Sequence, residues 1–121
     1  MNEKTSVPQC VFTAAEHSSP FALEFHKRDG RIHGFPYGHL LNYLFEANPN
    51  ADAQPHAPPD RFSLWFSTHD VVLFGWQLKK FSPFLQQARV VSVRAQDIRY
   101  YSLSDQEVFV SEIVVQCVQK G

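Results

Sequence analysis

The sequence predicts a single α+β domain in which an antiparallel or mixed β-sheet carries two helices on one face. Two stretches, residues 21–25 and 62–66, alternate apolar and polar side chains as strands with one buried face do. Each is followed by turn residues, a second apolar strand and apolar residues at helical spacing. The 121 residues fit one domain, so we expect an irregular lead-in at residues 1–20 and the domain at residues 21–121.

The first unit spans residues 21–47. A turn at residues 28–30 joins its two strands, because Asp bonds to its own backbone and Gly accepts a positive φ. After the return strand at residues 31–35, four apolar residues follow the i, i+3, i+4, i+7 spacing of an amphipathic helix: Tyr37, Leu40, Leu41 and Leu44. We therefore predict a helix that ends near Ala47.

Between the units, residues 48–60 carry four prolines and almost no large apolar side chain. This composition predicts a linker or surface loop. The second unit, residues 62–88, has a predicted turn at residues 68–70 and a return strand at residues 71–76. Its helix is predicted to begin at Ser82-Pro83, a pair typical of an N-cap followed by the first helical position.

The two units share a pattern at a constant offset of 41 residues, which places Phe21 on Phe62. The shared frame is F-x-L-x-F-x3-D-x4-G-[FW], and it matches Asp29 with Asp70 and Gly34 with Gly75. We interpret the pattern as an internal repeat of two ββα units. The alternative is that any two strand–strand–helix segments share an apolar rhythm.

The last third of the chain is predicted to add a strand pair. Residues 90–95 alternate, residues 108–118 are rich in β-branched side chains, and residues 102–106 are typical of a turn. A short strand is also expected at residues 11–13. Exposed sheet edges, above all the apolar C-terminal strand, favour pairing with a second copy, so we expect a homodimer.

Charge and composition exclude several partners. The formal net charge of −1 creates no broad field toward nucleic acid or anionic lipid. No apolar run reaches the roughly 20 residues that span a bilayer, and residues 1–6 lack the apolar core of a signal peptide. We therefore expect a cytoplasmic protein without a membrane partner, whose Cys10 and Cys117 are reduced, although the sequence leaves a disulfide between them open.

The segment between the first return strand and the predicted helix holds the main site candidates. His33, Tyr37 and His39 flank a helix start that would bind an anion, and Arg94 or Arg99 would reach it from a neighbouring strand. This pattern indicates a small enzyme or an anionic-ligand binder. The alternative is structural, since the glycines and proline of the segment also shape a sharp entry into a helix.

A second set of candidates indicates nucleic-acid binding. Arg94 and Arg99 lie near Tyr100 and Tyr101, which is the mixture of cations and aromatic rings that single-strand binders use. The six histidines have no zinc-helix spacing, and the His69-Asp70 pair has no nucleophile at a fixed position. We therefore expect no metal and no cofactor.

No motif in the chain has the spacing that a known chemistry requires. The favoured hypothesis is a small non-enzymatic interaction module that self-associates, or docks a protein partner, through its aromatic-rich sheet. The enzyme or anionic-ligand hypothesis and the nucleic-acid hypothesis are the alternatives. A concave site with convergent polar groups would favour an enzyme, and an exposed apolar face or edge would favour the interaction module.

Overall fold

The computed structural model of the chain describes residues 10–15, 20–53, 55–103 and 107–118. Over these residues the fold is mixed α/β and consists mostly of strands in two sheets, with one short α-helix. The strands are β1 (Val11–Thr13), β2 (Ala22–His26), β3 (Ile32–Pro36), β4 (Leu40–Ala47), β5 (Asp60–Phe66), β6 (His69–Trp76), β7 (Val90–Arg94) and β8 (Phe109–Cys117). The helix α1 is Ser82–Gln86, and 3-10 helices lie at Tyr37–His39, Leu78–Phe81 and Ile98–Leu103.

Sheet A has the strand order β1-β7-β2-β3 and is mixed. The hairpin of β2 and β3 is antiparallel and pairs Leu23 with Phe35, whereas β7 runs parallel to β2 and antiparallel to β1. In the connecting turn, the Asp29 carboxylate accepts the Arg31 backbone N–H at 3.0 Å and binds the Arg31 guanidinium. The first hairpin, its turn and the short strand at residues 11–13 are thus confirmed.

Sheet B has the order β4-β5-β6-β8, and all its neighbours are antiparallel. The predicted hairpin of β5 and β6 is confirmed, with Phe62 opposite Leu73. Its turn is tighter than predicted, because β6 already begins at His69 and Asp70 pairs with Trp65 instead of capping a turn. The chain passes from sheet A to sheet B through the 3-10 helix at Tyr37–His39.

The core lies where the two sheets pack against each other. Phe66 of sheet B stacks on Phe35 at 4.4 Å between ring centroids and meets the edge of Phe25 at 6.1 Å, both from sheet A. Further along, Phe62 meets Phe81 edge to face at 5.0 Å. Each of these buried rings contributes roughly 2 to 3 kcal/mol by removal from water, so the phenylalanines hold the sheets together.

The first predicted helix is wrong. Residues 40–47 form strand β4, which pairs along its length with β5 from Leu40 opposite Phe66 to Ala47 opposite Asp60. A short apolar run fits either a strand or a helix, and the outcome depends on the partner it finds. Here Tyr43 and Phe45 both contact Phe62 of β5, which favours the extended form. Of the two predicted helices, the described residues contain only α1.

The two ββα repeat units are not supported by the structure. Only the second unit continues into a helix, and its matched positions have different environments from those of the first. Phe62 is fully buried while Phe21 is exposed, and Leu85 is buried while Leu44 is exposed. The shared pattern therefore reflects the apolar rhythm of two hairpins.

The predicted C-terminal strand pair is also wrong. Both strands exist, but β7 lies between β1 and β2 in sheet A, whereas β8 pairs with β6 in sheet B. The 3-10 helix at Ile98–Leu103 occupies part of the connection for which we predicted a turn, and residues 104–106 of that turn lie outside the described residues. The lead-in at residues 1–9 and 16–19 also lies outside them.

The proline-rich segment forms the loop between β4 and β5, as predicted. The Asn48 side chain joins the two ends of this loop. Its amide N–H donates to the Pro58 carbonyl at 2.8 Å, and its amide oxygen accepts the Asn50 N–H at 3.1 Å. The Asn48 backbone N–H donates to the Pro59 carbonyl at 2.8 Å. Within the described parts of the chain, no helix has the length and apolarity needed to cross a bilayer.

Candidate functional site

The structure gives the three candidates of the His33 to His39 segment different surroundings. The Tyr37 hydroxyl donates to the Val90 carbonyl at 2.7 Å, and burial raises the pKa of Tyr37 to about 12. Tyr37 therefore stays a neutral donor that joins the segment after β3 to β7. His39 is exposed, and its backbone carbonyl accepts the Ser67 N–H at 2.9 Å, which ties the start of β4 to the turn between β5 and β6.

His33 lies in β3 opposite Phe25. Desolvation lowers the pKa of His33, and the positive charges of Lys27 and Arg31 lower it further. The side chain is thus kept neutral near physiological pH. Because the segment after β3 forms one turn of 3-10 helix and then strand β4, it has no α-helix start that would bind an anion.

The two candidate arginines each lie over an aromatic ring. The Arg94 guanidinium is 5.4 Å from the centroid of Phe12, and the Arg99 guanidinium is 5.2 Å from that of Tyr100. Both distances suit a cation–π contact. Arg94 ends β7 in sheet A, and Arg99 lies in the 3-10 helix that follows, so neither belongs to the surroundings of Tyr37 or His39.

One further pair of reactive side chains lies at the end of sheet B. The Cys117 thiol is 3.5 Å from His69 Nε2, and His69 Nδ1 is 2.9 Å from the Thr68 hydroxyl. Among the described residues, no group of three His, Cys, Asp or Glu side chains is arranged to hold a metal ion. Cys10 is buried far from this pair in the fold, with its sulfur against the backbone of Val110.

Strand β4 is the most exposed apolar element of the two sheets. Among the described residues its only strand neighbour is β5, so its other side is a sheet edge. Leu41 is 69% exposed and Leu44 is 45% exposed. Tyr43 and Phe45, on the opposite face, pack on the core but are only half-buried. The edge thus presents apolar side chains on both faces of the strand.

The residue types of β4 do not protect this edge. Its sequence, LLNYLFEA, contains no lysine, arginine or proline, which are the residues that commonly blunt an edge strand. Its single charge, Glu46, is paired with Arg61 of β5, whose Nε lies 3.0 Å from the Glu46 carboxylate. Neutralised in this way, Glu46 does not repel an approaching strand.

The other three edges are shorter or partly occupied. β1 has three residues, and β3 has five and ends in Pro36. On β8, the Val110 carbonyl accepts the Gln96 N–H at 2.9 Å, and the Val110 N–H contacts the Cys10 sulfur at 3.3 Å. β8 also carries the exposed Glu112. The C-terminal strand is therefore a less open edge than β4.

Sequence reasoning missed this edge because it assigned Leu40, Leu41 and Leu44 to a helix. One signal was available: Tyr43 and Phe45 alternate with Leu44, and aromatic residues favour strands. Comparison of the chain with protein-family models, with curated proteins and with solved structures found no match.

Proposed function

We propose that this chain is a non-enzymatic interaction module that self-associates through the edge of strand β4. The observation that carries the proposal is the largely apolar eight-residue edge, where Leu44 is 45% exposed and the sequence contains no lysine, arginine or proline. A second copy is the natural occupant, because an edge strand pairs readily with an identical strand across a twofold axis.

The register of the proposed pairing follows from symmetry and from the pairing of β4 with β5. A twofold axis perpendicular to the sheet places one residue opposite itself. The register of β4 shifts between Leu40 and Asn42 and is regular from Asn42 to Ala47, so Leu44 and Phe45 are its two central residues. Leu44 is the more exposed of the two and is therefore placed on the axis. Pairing about Leu44 then places Asn42 opposite Glu46 of the partner subunit, where an amide donates to a carboxylate.

This pairing continues a row of side chains that already crosses sheet B and is apolar apart from Ser63. Leu44 lies opposite Ser63, which lies opposite Val72, which lies opposite Val114. Joining two copies at Leu44 makes one eight-stranded sheet with this row on a single face. It also covers the exposed sides of Tyr43 and Phe45 on the other face, which adds burial of apolar surface to the backbone hydrogen bonds.

Sedimentation equilibrium over a concentration series tests the proposal with two substitutions. The native chain is expected to sediment at twice its 13.9 kDa mass. Leu44→Lys places a charge at the twofold axis, so two charges meet in the dimer, and we expect the dissociation constant to rise at least about tenfold. Ile32→Lys is the matched control, because Ile32 is an exposed apolar residue at the edge of sheet A.

Circular dichroism is the control for folding. Both variants are expected to keep the native fold, because both side chains are substantially exposed. A monomeric native chain would contradict the proposal. So would a dimer that Leu44→Lys leaves intact, or one that Ile32→Lys weakens equally.

A further inference from the structure

A second surface, separate from β4, is an open depression that carries several charged side chains. A cleft of about 550 Å³ opens at the end of sheet A where β2 and β7 finish and β3 begins. Small-molecule sites are clefts of roughly 300 to 1,000 Å³. Its lining includes three basic side chains, one carboxylate, an aromatic ring and an exposed aliphatic side chain: Lys27, Arg28, Arg94, Asp97, Tyr100 and Ile32.

The charges in the cleft favour an anion. Lys27, Arg28 and Arg94 face a single carboxylate, Asp97, in a chain whose formal net charge is −1. Neither Lys27 nor Arg94 forms an ion pair with a carboxylate of the described residues. Asp29, outside the cleft lining, attracts Lys27, so Arg94 is the cation of the cleft that is most available to a ligand.

Arg94 is held in place at the cleft. Its backbone N–H donates to the Cys10 carbonyl at 2.7 Å, and its guanidinium lies over the Phe12 ring. The cleft wall behind it is fixed as well, because the Ala95 N–H donates to the His26 carbonyl at 2.9 Å. The strand fixes the backbone of Arg94, and the Phe12 ring restricts its guanidinium, so part of the conformational entropy of this side chain is lost before a ligand binds.

Arg28 is held by a weak contact that a ligand can replace. Its Nη1 is 3.8 Å from Asp97 Oδ2, and both side chains are substantially exposed. The other oxygen, Asp97 Oδ1, accepts the Arg99 backbone N–H at 3.0 Å. A long, exposed ion pair contributes little to stability, so an anion that offers Arg28 a bidentate partner competes well with Asp97.

We propose that this cleft binds the phosphate groups of a nucleotide unit. Arg28 and Arg94 supply the bidentate donors that recognise phosphate oxygens, and Lys27 adds a point charge. Tyr100 and Ile32 supply the apolar wall against which a flat base packs. The same chemistry is presented by a free nucleoside diphosphate and by a nucleic-acid strand, and the measurement below distinguishes these two sources.

The test is an amide chemical-shift titration at low salt with ADP and, separately, with a ten-residue oligothymidylate. Saturable shifts are expected at cleft residues such as Gly30 and Gln96. Arg28→Gln and Arg94→Gln are each expected to raise the dissociation constant at least about fivefold. Lys79→Gln removes the same charge from an exposed position in another part of the fold and is expected to leave it unchanged.

Asp97→Asn gives a result that misfolding cannot imitate. The substitution removes the competing charge but keeps the oxygen that accepts the Arg99 N–H, so binding is expected to tighten. Saturable binding of ADP without comparable binding of the oligonucleotide would identify a free nucleotide as the ligand, and clearly tighter binding of the oligonucleotide than of ADP would identify a strand. Absence of saturable shifts with both probes would overturn the proposal, as would equal weakening by Lys79→Gln.

Discussion

Gly75 of β6 lies so close to Phe109 of β8 that a Cβ atom at Gly75 would be 1.9 Å from the Phe109 carbonyl oxygen. The contact occurs where the register of β6 against β8 shifts, between Phe74 and Gly75. No side chain fits between these two strands at this point. At Gly34, which the sequence pattern matches with Gly75, the atom nearest to an added Cβ is Glu24 Cγ at 3.7 Å, so this position has room for a side chain.

We predict that Gly75→Ala destabilises the fold strongly, whereas Gly34→Ala does not. The clash at Gly75 is with backbone, so the strands must separate, at a cost of about 3 kcal/mol in the free energy of unfolding. Gly34→Ala should change it by less than about 1 kcal/mol. Urea denaturation of the two variants measures the difference. Equal effects of the two substitutions would mean that β6 and β8 do not approach as described.

The two cysteines should differ sharply in reactivity. Cys10 is 1% exposed and burial raises its pKa to about 11, whereas Cys117 is exposed. Since the thiolate is the nucleophile, we expect one thiol per native chain to react rapidly with a disulfide reagent at pH 8, and two after unfolding. Cys117→Ser should remove the rapid phase. A rapid phase that survives this substitution would show that Cys10 is accessible.

The buried thiol also predicts a loss of stability at alkaline pH. Cys10 has its ordinary pKa of 9.0 in the unfolded chain and a pKa of about 11 in the folded one. Above pH 9 the unfolded state therefore releases a proton that the folded state retains, and the stability present below pH 9 is lost between pH 9 and 11. The loss amounts to roughly 2 kcal/mol.

Urea denaturation at pH 8, 9, 10 and 11 measures this loss. Cys10→Ala should be less stable at pH 8 because it leaves a small cavity, but its stability should fall less steeply from pH 9 to 11. The tyrosines titrate over the same pH range in both chains, so the difference between the slopes of unfolding free energy against pH for the native chain and for Cys10→Ala is due to Cys10. Parallel slopes would show that the Cys10 thiol is not desolvated in the folded chain.

The sequence was a good guide to the hairpins and a poor guide to their assembly. Alternation at residues 21–25 and 62–66 identified strands because each has one buried face, and Asp29 marked a turn that its own hydrogen bonds explain. Leu44 was misassigned because its helical spacing to Leu40 and Leu41 is also compatible with a strand that contains a register shift. The spacing of apolar residues is a property of one segment, whereas the choice between helix and strand depends on the segment it packs against, which is β5 for residues 40–47.

The candidate sites also depend on long-range pairing that the sequence pattern does not indicate. The basic and aromatic neighbours of Arg94 in the sequence mark it as a binding candidate, and Arg94 lines a cleft in the structure. Its companions there, Arg28 and Asp97, come from a turn and from the segment after β7. They meet only because β7 pairs in parallel with β2, a long-range pairing that no local pattern indicates.

The proposed dimer is tested most directly by a disulfide across its twofold axis. Leu44→Cys in a Cys117→Ser background leaves one exposed thiol, and pairing about Leu44 brings it next to the same thiol of the partner subunit. Air oxidation followed by non-reducing electrophoresis should give a covalent dimer in high yield, whereas Ile32→Cys in the same background should give no cross-linked band. A monomeric Leu44→Cys chain, or equal cross-linking of both variants, would contradict self-association through β4.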